Sequence, residues 1–524
     1  MSRLLTRRSL FALILVLIQL PFSFVSAQNN SNRSVQITLL QVNDVYQFAP
    51  VDHGTRGGVA RLGTLRKRVA AKSPNTLFLL AGDTISPSVE SNIYKGKQMI
   101  EAWNAAGLDY SVFGNHEFDF GNDVLKDRIR DSRFKWLAAN VIESKTGKTF
   151  DNTPEYDIRD MGGIKIGIFG IVLPETKNTS RPGADVQFVD PCETAKRVVG
   201  EMRAKGAQVV VGLTHLAMGQ DKALARCAPI DIIIGGHEHT LLQSLSGQTP
   251  IFKMTSDGRQ MGKYDLHVNP ATGKVESIDW EVLQVTDQIP DDPDFAPVTA
   301  KYKDLENDLA TSIGHTDVLL DAGSAANRTQ ETNVGDFVAD TFRAQTKADV
   351  ALVNGGSIRA DLTFEPGDLS KRSVYSILPF PNPVVKIELT GDDIRRALEH
   401  GVARSAEEAE PGRFPQVSGI RFSFDARRPA GSRVLGITIN GQPLGLKKTY
   451  TLATTTYIAI DGGDGYEILK GHNFVISAEK AKIAPDILMN AITALPSIAP
   501  QIDGRIKRID QPVGISSAGP NSTN

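Results

Sequence analysis

The sequence predicts two successive α/β domains joined by a single helix, and three observations carry that reading. Short apolar runs alternate with amphipathic stretches from Val35 to about Gln284, the alternation breaks at Ile289-Pro290-Asp291-Asp292-Pro293, and a chain of 524 residues exceeds what one hydrophobic core accommodates. In chain order, Val35 to Val42, Thr76 to Ala81, Tyr110 to Phe113, Ile164 to Val172, Gln208 to Leu213 and Ile230 to Ile234 read as strands. They are short, rich in Val, Ile and Leu, and bounded by glycine or turn residues. Arg61 to Ala70, Lys97 to Ala106 and Glu193 to Lys205 read as the helices between them. Such alternation places ligand groups where strands end and loops begin. Phe295 to Ser312 reads as one helix of mixed charge, a connector, and a second domain begins near Gly314. That domain continues through strands at Val350 to Val353 and Val384 to Leu389, a helix at Gly391 to Ala403, and further strands to about Ile509.

Composition narrows the function classes. Hydrophobic residues make up 41% of the chain and charged residues 23%, with 46 Gly and 27 Pro, which is globular and neither disordered nor collagenous. Basic and acidic residues number 58 and 60, a net charge of -2, so no global field holds a nucleic acid polymer or an acidic membrane. Residues 1–27 are set apart from the fold. Arg3, Arg7 and Arg8 precede the apolar run Leu10 to Ile18, and Val25-Ser26-Ala27 offers small residues at a cleavage point near Ala27, the layout of a secretory signal peptide. Thr6-Arg7-Arg8-Ser9-Leu10-Phe11 has a twin-arginine flavour, but the strongly apolar run suits the ordinary route better. The run is short for a membrane span, so the expectation is a periplasmic or secreted protein without a stable membrane anchor. Cys192 and Cys227, 35 positions apart, leave one disulfide open and do not make a zinc site. The tail 511–524 reads as disordered.

Five strand ends in the first domain finish in metal-type ligands: Asn43-Asp44-Val45-Tyr46, Gly82-Asp83-Thr84, Gly114-Asn115-His116-Glu117-Phe118-Asp119, Leu213-Thr214-His215 and Gly235-Gly236-His237-Glu238-His239. A single carboxylate after a strand is ordinary. Five such segments, holding four of the chain's nine histidines, point to a dinuclear cation site, because borderline and hard cations take carboxylate, amide oxygen and imidazole from several loops. Glycine immediately before Asp83, Asn115 and His237 is expected to let the backbone turn sharply there.

These five segments resemble the metallophosphoesterase pattern. From Thr329 onward, Glu331-Thr332-Asn333-Val334-Gly335-Asp336, Asn354-Gly355-Gly356-Ser357-Ile358-Arg359, Leu378-Pro379-Phe380, Phe414-Pro415-Gln416-Val417-Ser418-Gly419 and Gly462-Gly463-Asp464-Gly465-Tyr466 resemble the C-terminal domain of secreted 5′-nucleotidases. The resemblance implies a four-layer metallophosphoesterase-like β-sandwich with flanking helices over 35–290. A connector helix over 294–312 would join it to a smaller α/β substrate-binding domain over 314–510. It also implies two divalent metal ions, manganese or zinc, one held by Asp44, Asp83 and His239 and the other by Asp83, Asn115, His215 and His237, with Asp83 bridging. Such a pair generates a hydroxide near neutral pH while gripping phosphoryl oxygens. His116 and Asp119 would form the catalytic dyad at the leaving group, and Glu117 is left a structural role. Arg328 and Arg359 would bind phosphate, Asn354 and Asp464 the ribose or base, and Phe380 one face of the base.

Three positions depart from the family's pattern. Tyr46 stands where the family has histidine, and a neutral phenol with a pKa of about 10 is a poor ligand. Either the first position binds its ion weakly, which is the favoured reading, or Tyr46 ionises against a trivalent ion such as iron. Gln330 stands where a second arginine is common, thinning the phosphate clamp. The second base-stacking position falls at Ile458, with Tyr457 one residue earlier. The expected protein is an exported metal-dependent phosphoesterase acting on a small phosphorylated metabolite, foremost nucleoside 5′-monophosphates. The alternatives are the same site acting on 2′,3′-cyclic nucleotides, nucleotide sugars or sugar phosphates, and a catalytically weak secreted nucleotide-binding protein.

Overall fold

The computed structural model describes residues 34–52, 54–405 and 411–510; the segment read as a signal peptide and the tail 511–524 lie outside the described residues. Two six-stranded sheets pack face to face in the N-terminal half. The first runs in the order Val275–Gln284, Gln260–Val268, Val35–Val42, Thr76–Leu80, Tyr110–Val112, Lys135–Leu137, and the second in the order Leu242–Ser246, Thr249–Lys253, Ile232–Gly235, Val209–His215, Ile164–Val172, Tyr156–Met161.

Strand parity explains why these strands are apolar throughout. Ile37, Leu39, Leu77 and Leu79 point into the core between the sheets with Ile166, Ile168, Val209, Val211, Ile232 and Ile234, whereas Leu40, Val42, Phe78, Leu80, Phe169 and Val210 point outward to the helical layers. A strand covered on both faces shows no polar alternation. Helices Val59–Ala70 and Lys97–Ala106 cover the outer side of one sheet, and Pro191–Ala204 and Met218–Cys227 that of the other, completing four layers. The helix expected from Glu193 begins two residues earlier, because Asp190 accepts the Glu193 N–H (2.8 Å) and Pro191 occupies the first turn.

A Cys192–Cys227 disulfide (Cα–Cα 6.0 Å) ties these last two helices together. Closing a loop of 35 residues restricts the unfolded chain, so reduction is expected to cost about 3–4 kcal/mol. Urea unfolding with and without reductant checks this, and Cys192→Ser should reproduce the reduced curve.

In each sheet the central strands run parallel. Their carboxyl ends therefore lie along one edge, and all five ligand-bearing segments emerge there. Asn43 sews the two sheets together at that edge: its Oδ1 accepts the Met254 N–H (2.8 Å) and its Nδ2 donates to Met254 O (3.0 Å).

The connector differs in extent from its expected span. Its helix covers Ala296–Leu309, and Ser312 already opens a strand, Ser312–Thr316, paired with Gly367–Ser370. The sheet partner takes the backbone that the charge pattern assigned to the helix. Tyr302 anchors the connector on the N-terminal half, donating to Glu101 Oε2 (2.9 Å) and packing on Phe48.

In the C-terminal half a five-stranded sheet runs Pro415–Ser418, Val350–Asn354, Thr449–Thr455, Val384–Thr390, Asn473–Ile476. Parity again divides it. Ala351 and Val353 meet Val338 and Phe342 of helix Asn333–Thr346, while Val350 and Leu352 meet Ile394 and Leu398 of helix Gly391–Gly401. Several motif residues here are structural. Thr332 caps helix Asn333–Thr346 by accepting the Gly335 N–H (2.9 Å), and Gln416 Nε2 donates to Asn327 O (3.0 Å) and Gln330 O (2.7 Å), bracketing Arg328.

Candidate active site

Asp44 and Asp83 each follow directly on a buried strand region with positive φ (52° and 56°), as does His237 (82°), so three site residues adopt a backbone conformation that costs non-glycine residues energy. The neighbouring glycines act in two different ways. Gly82 turns the chain at φ 83°, as expected. Gly114 is extended, and its role is space: a Cβ there would lie 2.1 Å from Asp83 Oδ1.

Glu117 holds the loops in place, accepting backbone N–H groups from Asp83 (3.0 Å), Thr84 (2.7 Å), Ile85 (3.2 Å) and Gly114. Burial, with the charge of Asp83 beside it, pushes its carboxyl up to about 7. The structural role expected for Glu117 is what the structure contains. Trp103 Nε1 donates to Thr84 Oγ1 (2.8 Å), which donates to Val45 O (2.8 Å), so a helix in the outer layer braces both aspartate loops.

Asp44 and His215 are completely buried, and their ligand atoms lie within 4.8 Å of one another and of Asp83. His215 Nδ1 is 2.8 Å from Ala81 O, which can only accept, so this nitrogen carries a hydrogen; burial works against charging the ring, but the Asp83 carboxylate outweighs it and pushes the ring's pKa up to about 9. Its Nε2 faces Asp83 Oδ2 at 3.2 Å without a hydrogen bond, and Asn115 Oδ1 is likewise buried with no partner. Buried carboxylates beside an imidazole nitrogen require a positive charge among them, a proton on the ring or a cation in its place. The donor set therefore fits a cation.

His239 Nε2 stands 3.4 Å from Asp44 Oδ1. The Tyr46 hydroxyl lies amid the same groups, 3.2 Å from Asp44 Oδ1, 3.4 Å from Asp83 Oδ2 and 3.0 Å from His239 Nε2. Burial holds the phenol well above its ordinary pKa. The His237 N–H donates to Asp44 Oδ2 (3.0 Å), and burial pushes its ring well below the usual histidine range, so it is a neutral imidazole with a lone pair to give. His116 Nδ1 is 2.7 Å from Asp119 Oδ2, whose other oxygen accepts from Ser180 Oγ (2.5 Å).

The C-terminal half closes over this edge. One cavity of about 1060 Å³ is lined by Asp83, Asn115, His116, Asp119, His237 and His239 on one side and by Arg328, Asn354, Arg359, Phe380 and Asp464 on the other, with Asp44 and His215 buried beneath. Every residue singled out in the sequence as a ligand, dyad or substrate group is thus in or directly under one cleft. Asn354 Nδ2 donates to Asp464 Oδ2 (2.6 Å), and Phe380 stacks on His116 with ring centroids 5.8 Å apart. Ile458 is not available to a base: it is fully buried in the C-terminal core, and Tyr457 lines the cavity in its place.

Two residues escaped the sequence reading. Asp361 reaches the site from the loop carrying Arg359, with Oδ2 3.4 Å from His239 Nδ1. Lys253, completely buried, binds Glu238 and the backbone beside His215 and His237. A charged residue ending the apolar run Pro250-Ile251-Phe252 satisfied the same strand-end criterion and was the available signal.

Residues 37–241 match the calcineurin-like phosphoesterase family model, and residues 312–471 match that of the 5′-nucleotidase C-terminal domain. The structure is similar to that of a 5′-nucleotidase precursor from Thermus thermophilus, with TM-score 0.83 and 32% identity, covering 91% of this chain and all of that one. Among curated proteins, the snake venom 5′-nucleotidase of Crotalus adamanteus is 29% identical over 92% of this chain and 90% of its own length. The trifunctional nucleotide phosphoesterase protein YfkN of Bacillus subtilis is 29% identical over 91% of this chain but only 35% of its own length. A four-layer sandwich with cation-type donors at one edge, capped by a domain bearing arginines, accords with these likenesses over nearly the whole chain, and the protein belongs to the 5′-nucleotidase family of phosphoric ester hydrolases.

Proposed function

We propose that the protein cleaves phosphomonoesters, foremost nucleoside 5′-monophosphates, to nucleoside and inorganic phosphate, for phosphate or nucleoside salvage outside the cytoplasm. The observation that supports this most is the single cleft in which cation-type donors and the His116–Asp119 pair face two arginines and an aromatic ring. Two divalent ions, manganese or zinc, fit Asp44, Asp83 and His239 and, sharing Asp83, Asn115, His215 and His237. When bound, such a pair neutralises charge on phosphoryl oxygens and acidifies water. Arg328 and Arg359 grip the phosphate through guanidinium forks matched to its oxygens. Asp119, steadied by Ser180, holds the Nδ1 hydrogen of His116, and in its imidazolium form the ring hands its Nε2 proton to the departing ester oxygen and is left neutral. Phe380 and Tyr457 offer ring faces to a base, and Asn354 with Asp464 offers polar groups to the ribose or base.

Export is supported by the arrangement of residues 1–27 and by the Cys192–Cys227 bridge, which suits an oxidising compartment. Among the described residues no helix is long and apolar enough to cross a membrane. We place the catalytic unit at 35–290 and the substrate-binding unit at 314–510.

One observation favours a second reading. A cavity of about 1060 Å³ is at the top of the range for small-molecule sites, so it has room for nucleotide sugars as well as monophosphates. Phosphate release from nucleoside 5′-monophosphates, 2′,3′-cyclic nucleotides, nucleotide sugars and sugar phosphates, each with manganese, zinc or calcium, separates the readings. Release from the monophosphates, abolished by chelator and restored by manganese, is the expected result. Nucleotide binding without phosphate release under every condition would sink the proposal and leave a binding protein.

A further inference from the structure

The two cation positions differ in where their ligands are held. His215 Nδ1 donates its outer hydrogen bond to Ala81 O at 2.8 Å, inside the N-terminal half. His239 has no such support: its Nδ1 has no hydrogen-bond partner in its own half, and the polar atom facing it is Asp361 Oδ2, 3.4 Å away in the C-terminal half. Asp361 is firmly built into its own half, its N–H donating to Ala322 O (3.1 Å) and its Oδ1 accepting the Ser324 N–H (3.1 Å). Its Oδ2 also accepts from Ser256 Oγ (2.6 Å), a hydrogen bond to the N-terminal half. Two residues earlier on the same loop, Arg359 Nη2 donates to the Tyr46 hydroxyl at 2.6 Å, and its guanidinium lies 5.2 Å from the Tyr46 ring centroid. Tyr46 itself stands in the place where the family carries a histidine.

We infer that the first cation position, at Asp44, Asp83 and His239, is a two-domain site: Asp361 and Arg359 are positioning residues for His239 and Tyr46, so its ion is held tightly only with the domains docked. Linkage makes this reciprocal, and an ion at this position favours docking. The second position, oriented from within one domain, keeps its ion whether or not the domains part. The inference rests on the two-cation reading above. A carboxylate behind a ligating histidine fixes ring orientation and raises ligand basicity, and its removal typically costs about 10- to 100-fold in metal affinity.

Equilibrium dialysis of metal-stripped protein against manganese, read by elemental analysis, tests the idea. Wild type should take up two ions, and Asp361→Asn should lose about 10- to 100-fold affinity in one binding step with the other step unchanged. Ser256→Ala, which removes only the hydroxyl bond to Asp361, should weaken the same step by less. Solution X-ray scattering should show manganese compacting stripped wild type, with Asp361→Asn needing correspondingly more manganese. At saturating manganese, kcat of Asp361→Asn should recover with KM for the nucleotide unaltered. Unchanged affinity in both steps overturns the inference. So does an equal loss in both, which marks a general loss of structure, or a wild type that binds one ion only. If the doubly loaded wild type releases no phosphate from any ester, the proposed function fails, while the dialysis still decides the present point.

Discussion

Replacing His116 with alanine is expected to lower kcat on nucleoside 5′-monophosphates by about 10²- to 10⁴-fold, the usual contribution of a positioned proton donor. The ring is fixed on one side by Asp119 at 2.7 Å and on its face by Phe380, so its position does not depend on substrate. Because the proton is needed only as the ester bond breaks, kcat and kcat/KM should fall together. An aryl phosphate with an acidic leaving group, which departs without protonation, should lose far less. Steady-state kinetics on both esters at saturating manganese makes the comparison, and equal losses on the two would rule out leaving-group protonation as the role of His116. Asp119→Asn, which keeps the shape but not the charge behind the ring, should fall between wild type and His116→Ala.

Lys253→Met is expected to destabilise the protein by about 3–5 kcal/mol, the cost of stranding buried charges by removing their partner. Lys253 is completely buried, with Nζ 2.8 Å from Asp221 Oδ2 and 2.5 Å from Glu238 Oε2, and it donates to Leu216 O (2.5 Å) and Gly236 O (2.8 Å). Burial alone would strip its proton, but the charges of Asp221 and Glu238 outweigh that effect and hold its pKa above the ordinary lysine value. The ammonium therefore pins the residue after His215, the residue before His237 and the one between His237 and His239. Urea unfolding reads the stability loss, and metal analysis of the folded fraction should show weakened retention at both positions. Adding Asp221→Asn and Glu238→Gln to Lys253→Met should recover part of the stability, because the stranded carboxylates are then gone. No recovery would mean that the backbone bonds to Leu216 and Gly236, and not the ion pairs, dominate.

Much of the fold and most of the candidate site are legible in the sequence. Strands buried on both faces reveal themselves as unbroken apolar runs, so Val35–Val42 and Val209–His215 need no tertiary information to be recognised. Ligands placed at the ends of parallel strands are equally readable, because the chain order strand, ligand, helix recurs. Helix ends were less secure where a cap or a sheet partner decided them, as Asp190 did for Pro191–Ala204 and Ser370 did for the end of the connector. The second stacking position falls at Ile458 with Tyr457 adjacent, and only packing shows which one the C-terminal core absorbs.

What the sequence by itself determined is therefore the layered architecture, the set of cation-type donors and the His116–Asp119 pair, since each is marked by a local pattern, an apolar run, a ligand at its end or two polar residues three apart. The tertiary structure alone decided that Asp361 stands behind His239, that Arg359 meets Tyr46, and that Lys253 secures the histidine loops. Arg359 and Tyr46 are separated by 313 positions. Contacts across such distances leave no local periodicity, because they arise only when two folded surfaces meet and bring opposite charge or a matching hydrogen-bond partner into reach.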